Sequence, residues 1–403
     1  MLLNSGKIMQ TIIDSDLDPT SDTTDGSAKY FDIIGFDPRG INNTTPGVNC
    51  FPDTFSRRNW DLQQEAEGIL GSAPGSLTRN WQRNQALSRS CSDMIGQAED
   101  GEEALGEHVN TVAVVHDMLA IVERHGEWRE KQGIIAVQRT GHDAALAKRT
   151  AWKKGQEKLL YWGISYGTIL GGTFATLLPD RIERALLDAV VNIDYYYTGK
   201  GSGNLVDADS IFDRFSVYCD AVGAAGCGMY AVGGSAAIKN SMIDLLETLK
   251  SESVPVMASA TRGPEVVTWT DVMGLVRISM YMPLKVFPSV ARMLGDLKNG
   301  DGSAMADFKQ QGRIPSCVSD ECKSSGSYDS ECSTPGREAT TAILCTDADR
   351  LTGLSKDEFR QFWQALQNDS YILGDYWASL VIACSGWKVK AKWPFQGSTE
   401  QPS

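Results

Sequence analysis

KLLYWGISYGTILGG, residues 158–172, sets an apolar run, the pentapeptide Gly163-Ile164-Ser165-Tyr166-Gly167 and a second run of small and apolar residues in direct succession. A Ser hydroxyl is a weak nucleophile until a base takes its proton, and it must stand clear of the backbone for a substrate to reach it. A G-x-S-x-G turn meets the second need. The strand-to-helix bend projects the Ser side chain, and glycines at the flanking positions, here Gly163 and Gly167, remove Cβ atoms that would collide there. Ser165 is therefore the candidate nucleophile. The N-terminus of the following helix points N–H groups at the place where an oxyanion would develop, with the N–H of Tyr166 as first donor.

In a chain with 39 glycines the bare pattern is weak, and its surroundings carry the weight. Leu159 to Trp162 reads as an entering strand, Tyr166 to Leu178 as a helix stopped by Pro179, and ALLDAVV (185–191) as the next strand. Strand, helix and strand in so few residues predict a parallel pair joined by a right-handed crossover, hence an α/β fold. A second loose match, Gly233-Gly234-Ser235-Ala236-Ala237, has no entering strand and is set aside.

Upstream, FDIIGFDPRG (31–40) reads as a buried strand ending at a Pro and a Gly. HVNTVAVVHDMLAIVERHG (108–126) places Val112, Val115, Leu119 and Val122 at helical spacing, with Asn110 as N-cap and Gly126 as stop. His116 and His125 are then helix residues rather than ligands. The basic, Ala-interspersed stretch 129–157 reads as a solvated helical insertion. Residues 1–193 thus form the core, and 194–387 a helical cap containing SAAIKNSMIDLLETLK and EFRQFWQALQ, broken by a Ser- and Cys-rich segment from Ser316 to Gly336. Residues 388–403 are a tail.

The net charge of −13, with dispersed basic residues, excludes a phosphate-backbone binder, so no nucleic-acid partner is expected. No apolar run is long enough to span a bilayer, and the opening MLLNSGKIMQ lacks a signal-peptide pattern. Nine cysteines, Cys50, Cys91, Cys219, Cys227, Cys317, Cys322, Cys332, Cys345 and Cys384, are a heavy load for a reducing compartment, and an odd count leaves at least one without an internal partner. No His lies near Cys317, Cys322 and Cys332 and no C-x-x-C pair occurs, so no metal site and no cofactor are expected. Sequons at Asn42, Asn43 and Asn368 fit a secretory setting.

YFDIIGFDPRG, then NT with a DM helix, then YWGISYGTILGGTFATLLPDRIERALLDAVV, then EATTAILCTDAD and a C-x-G-W near the end together resemble the secreted tripeptidyl-aminopeptidase-like α/β-hydrolases, relatives of prolyl iminopeptidases. The resemblance runs over nearly the whole chain and is most specific from Tyr161 to Val191. It implies an α/β-hydrolase fold with a large helical cap inserted after the strand that follows the nucleophile helix. It further implies a secreted serine peptidase acting near the free N-terminus of a peptide, with Ser165 as nucleophile.

In that fold the triad runs Ser, acid, His along the chain. Here His108, His116, His125 and His142 all precede Ser165 and none follows it. Asp188, at the end of the strand after the nucleophile helix, is an available acid but reads as a structural turn residue. The resemblance places the catalytic Asp and a Gly-His pair beyond the Lys392, Trp393, Phe395 region, and a G-G-P-G oxyanion loop before FDIIGF. The expectation is a chain truncated at both ends with little or no peptidase activity of its own. A non-catalytic remnant, a binding protein using the capped pocket, and an esterase or amidase of a biosynthetic pathway are the alternatives.

Overall fold

The computed structural model describes residues 2–17, 28–98, 101–140, 144–199, 203–313 and 338–397. His142 and the cysteines at 317, 322 and 332 lie outside the described residues, as does the whole stretch from Ser316 to Gly336. The structure is mostly helical with a small parallel sheet, compatible with an α/β fold. The helices before the sheet are α1 (Leu2–Ile13), α2 (Thr54–Glu67), α3 (Ser76–Ile95), α4 (Thr111–Thr140) and α5 (Ala144–Thr150). The sheet follows as β1 (Leu159–Ile164), α6 (Tyr166–Leu177) and β2 (Ile182–Asp188).

The two strands are parallel, with Trp162 opposite Leu186, Gly163 opposite Leu187 and Ile164 opposite Asp188. Alternation sends Leu159 and Tyr161 to one face, where they pack with Leu170 and Phe174 of α6 and Val114, Val115 and Met118 of α4. Leu160 and Leu186 point to the other face and stay 47% and 52% exposed.

Beyond β2 come α7 (Ile193–Thr198), α8 (Ala208–Val222), α9 (Gly234–Ser251), the antiparallel ribbon β3 (Val254–Val256) and β4 (Glu265–Val267), α10 (Trp269–Tyr281), α11 (Pro283–Lys298) and α12 (Ser303–Arg313). Elements α8 to α12 and the ribbon share one large core built on Met229, Ile238, Met242, Leu275 and Leu294, all nearly inaccessible to solvent. The stretches 235–250 and 358–367 are helical, as their periodicity predicts. The short ribbon carries no comparable signal in the sequence.

The last helices, α13 (Glu338–Asp347), α14 (Lys356–Asp369) and α15 (Gly374–Val381), pack against α3 and the loops near it. Disulfides join Cys50 to Cys91, Cys219 to Cys227 and Cys345 to Cys384. Three such bonds among the described residues belong to an oxidising environment. No helix among them is long and apolar enough to cross a membrane.

Two expectations need correction. Residues 31–40 form no strand: they contribute only an isolated bridge between Gly40 and Gly47. A strand requires a neighbour for its N–H and C=O groups. Here the start of the segment is tied instead to the end of α1, with the Phe31 N–H donating to Asp14 and the Gln10 amide donating to the Phe31 carbonyl. Helix α4 does not stop at Gly126 but runs on to Thr140. Gly126 serves a close approach, since a Cβ there would lie 2.7 Å from the Glu157 carboxyl. That carboxyl pairs with Arg129 one turn further along.

Candidate active site

β1 ends at Ile164 and α6 begins at Tyr166, so the whole reversal falls on Ser165. Its backbone has φ 56° and ψ −122°, a conformation that costs an L residue about 1–3 kcal/mol and persists only where its surroundings impose it. The restraints are visible. The Ser165 N–H donates to the Asp188 carbonyl at 3.1 Å, and the Ser165 carbonyl accepts from the Thr168 N–H at 2.8 Å and the Thr168 hydroxyl at 2.7 Å. Thr168 Oγ1 in turn accepts from the Val191 N–H, so β2, the turn after it and α6 jointly clamp the bend.

The flanking glycines differ in what they permit. A Cβ on Gly163 would lie 2.4 Å from the Gly167 carbonyl oxygen, a clash with backbone that nothing flexible can relieve. A Cβ on Gly167 would meet only the Tyr161 hydroxyl, at 3.3 Å. Gly171, one turn on, is the second strict position, because a Cβ there would lie 2.4 Å from the Tyr161 ring. That ring braces the elbow by donating its hydroxyl to the Gly167 carbonyl at 2.7 Å, and burial raises its pKa to about 12.

Ser165 is exposed, and its hydroxyl has no hydrogen-bond partner among the described residues. As the first residue of α6, Tyr166 has an N–H with no intrahelical acceptor. Its side chain turns inward, where its hydroxyl meets Thr111 Oγ1 at 2.7 Å. Thr111 opens α4 and donates both its N–H, at 2.9 Å, and its hydroxyl, at 2.5 Å, to Asp347 at the end of α13. With the Thr111 proton committed to Asp347, the Tyr166 hydroxyl is the donor in the first bond. Tyr196 of α7 donates to the same carboxylate at 2.9 Å, and Tyr197 meets Thr173 of α6 at 2.8 Å.

Asp347 thus caps α4 from 236 positions away in sequence and, through Thr111, anchors Tyr166 beside Ser165. Burial raises its pKa to about 6 against the pull of the Thr111 and Tyr196 hydrogen bonds. Burial first, and Asp347 second, hold the Tyr166 and Tyr196 phenols well above their ordinary range. Asn110 occupies the expected cap position, but its amide donates to the Trp393 carbonyl instead. The sequence reading missed this network. Its members fall in the NT and CTDAD stretches, yet no periodicity links positions so far apart.

The three described histidines are engaged elsewhere. His108 pairs with Glu103 at 2.6 Å, the His108 and His116 rings lie edge-on to Trp393, and His125 lies against Trp128. Asp188 reaches Ser165 through its main chain alone and is exposed, in keeping with a turn role. Phe395 stacks on Tyr197 at 4.4 Å, which brings the 388–397 stretch against α7. No group of three or more metal-ligating side chains occurs among the described residues.

No family model matches the chain. It is 26% identical over 338 residues to serine protease Hip1 of Mycobacterium tuberculosis, an alignment covering 82% of this chain and 54% of the relative. It is 24% identical over 387 residues to the tripeptidyl aminopeptidase of Streptomyces lividans, covering 93% of this chain and 57% of that protein. The chain spans about half the length of the curated relatives it matches. These likenesses support a serine peptidase relationship at the general level.

Proposed function

We propose that this chain carries the nucleophile portion of a serine hydrolase of the aminopeptidase type, built on an α/β-hydrolase core with a helical cap over residues 194–387. The observation that carries the reading is the strained Ser165, held at φ 56° between a parallel strand and a helix whose first N–H is free. That geometry suits attack on an acyl carbon, with the Tyr166 N–H receiving the developing oxyanion. Gly163 and Gly167 allow the bend. The substrate class is a peptide presented by its free N-terminal end, by likeness to the tripeptidyl aminopeptidase. The three disulfides support a secreted protein.

The hydroxyl of Ser165 has no imidazole partner among the described residues, and no His follows it in the chain. With no base among the described residues to take the proton, acylation by these residues alone is expected to be slow and peptide turnover weak or absent. This same observation favours the second reading, a binding protein on the hydrolase scaffold. A fluorophosphonate probe on the folded chain tests both. Labelling that Ser165→Ala abolishes supports an activated nucleophile. Absence of labelling, with a tripeptide amide still bound in a titration, supports the binding reading. Robust tripeptide hydrolysis by this chain alone would overturn the account of the missing base.

A further inference from the structure

Along α3 lies an open groove of about 680 Å³, within the size range of small-molecule sites. One stripe of α3 forms its wall: Thr78, Trp81, Gln82, Gln85 and Arg89 stand at spacings of three and four residues and so share a face. Further lining comes from Gly353 and Leu354 of the loop before α14 and from Lys356, the first residue of α14.

The lining offers hydrogen-bond donors. Arg89 has no hydrogen-bond or ion-pair partner among the described residues, and neither does the Trp81 indole N–H or the Gln82 amide. Lys356 touches only a neutral acceptor, Thr78 Oγ1, at 2.7 Å, and keeps donors to spare. No carboxylate lines the cavity. The nearest acids in sequence are engaged, Asp357 with Arg360 and Glu358 with the Ser355 cap of α14. In a chain of net charge −13, two cations facing one hollow with no acid between them is an arrangement that calls for an anion. Trp81 and Leu354 supply a flat apolar floor beside them, the Trp81 ring being braced by Phe359 at 5.9 Å.

We propose that this cavity binds a small ligand with an oxyanion head, carboxylate or phosphate, on a flat ring. Arg89 takes the head in its planar fork with Lys356 as a second charge, and the ring lies over Trp81. None of the residues lining the site belongs to the Ser165 bend, and the proposal does not depend on the peptidase reading.

The test is a calorimetric titration of the full chain with benzoate, phenyl phosphate, benzamide and inorganic phosphate. Benzoate or phenyl phosphate is expected to bind with a Kd on the order of 1 mM or tighter. Their ranking identifies the head group, and added salt weakens both. Arg89→Gln, at an exposed position, is expected to weaken binding about tenfold or more without shifting the thermal melt. Lys356→Met provides an independent charge deletion with the same expected direction. Equal binding of benzamide, equal binding of inorganic phosphate and phenyl phosphate, or affinity unchanged in both variants would each overturn the proposal.

Discussion

The β1–α6–β2 unit and the helical region from α8 to α12 use hydrophobic burial differently. In the helical region, side chains such as Met242 and Leu275 are enclosed on all sides by helices that each offer an apolar face. In the sheet unit, α4 and α6 cover one face while Leu160 and Leu186 remain open on the other. Parallel sheets are ordinarily covered on both faces, so a two-strand parallel pair with one open face draws little stability from burial. It is held by specific contacts: the Thr168 clamp, the Tyr161 brace and the Tyr166–Thr111–Asp347 chain. One region is secured by packed volume and the other by a few directional bonds, and the strained Ser165 lies in the second.

Leu275→Ala is expected to have the largest effect, destabilising the chain by about 2–5 kcal/mol in a urea melt because it empties a closed site. A loss under about 1 kcal/mol would show that the helical core is loosely packed after all. Replacing Cys345 and Cys384 by Ser, which releases a link between residues 39 apart, is expected to cost about 2–4 kcal/mol. The damage should reach the elbow, because Asp347 lies two residues from Cys345. Fluorophosphonate labelling before and after reduction measures that coupling.

Asp347 produces the next effect, through pH. Its folded pKa of about 6 lies above the ordinary 3.8, so the folded state binds this proton more tightly than the unfolded one. The resulting stability is fully present below about pH 4 and is lost as pH rises through 6. This preference for the protonated form corresponds to ~3 kcal/mol at most. Asp347→Asn should flatten stability against pH between 4 and 7, and an unchanged slope would assign the titration to another group. Ser165→Gly is expected to stabilise by up to about 1 kcal/mol by relieving the positive φ while removing the hydroxyl. Leu186→Lys, on the open face, should move stability by less than about 0.5 kcal/mol. A larger loss would show that something covers that face in solution.

Much of the elbow was legible because its determinants are local. The strand, the bend at Ser165 and the helix ended by Pro179 follow from residues within a few positions of one another, and the structure reproduces them with small shifts in bounds. The FDIIGF segment was misread for a complementary reason, since its composition suits a strand but no neighbour pairs with it. Gly126 was misread because a helix-breaking residue is retained wherever another segment must come close, and Glu157 is that segment.

Local chemistry in the chain by itself determined that Ser165 stands on a bend between a strand and a helix and that Gly163 lies two residues before it. Tertiary structure alone decided which cysteines pair, that Asp347 caps a helix 236 positions away and steadies Tyr166, and which face of the strands stays bare. The division has a physical basis. Steric limits on φ and ψ act between neighbours and can be read in order, whereas burial and long-range hydrogen bonds depend on which surfaces meet once the chain has folded.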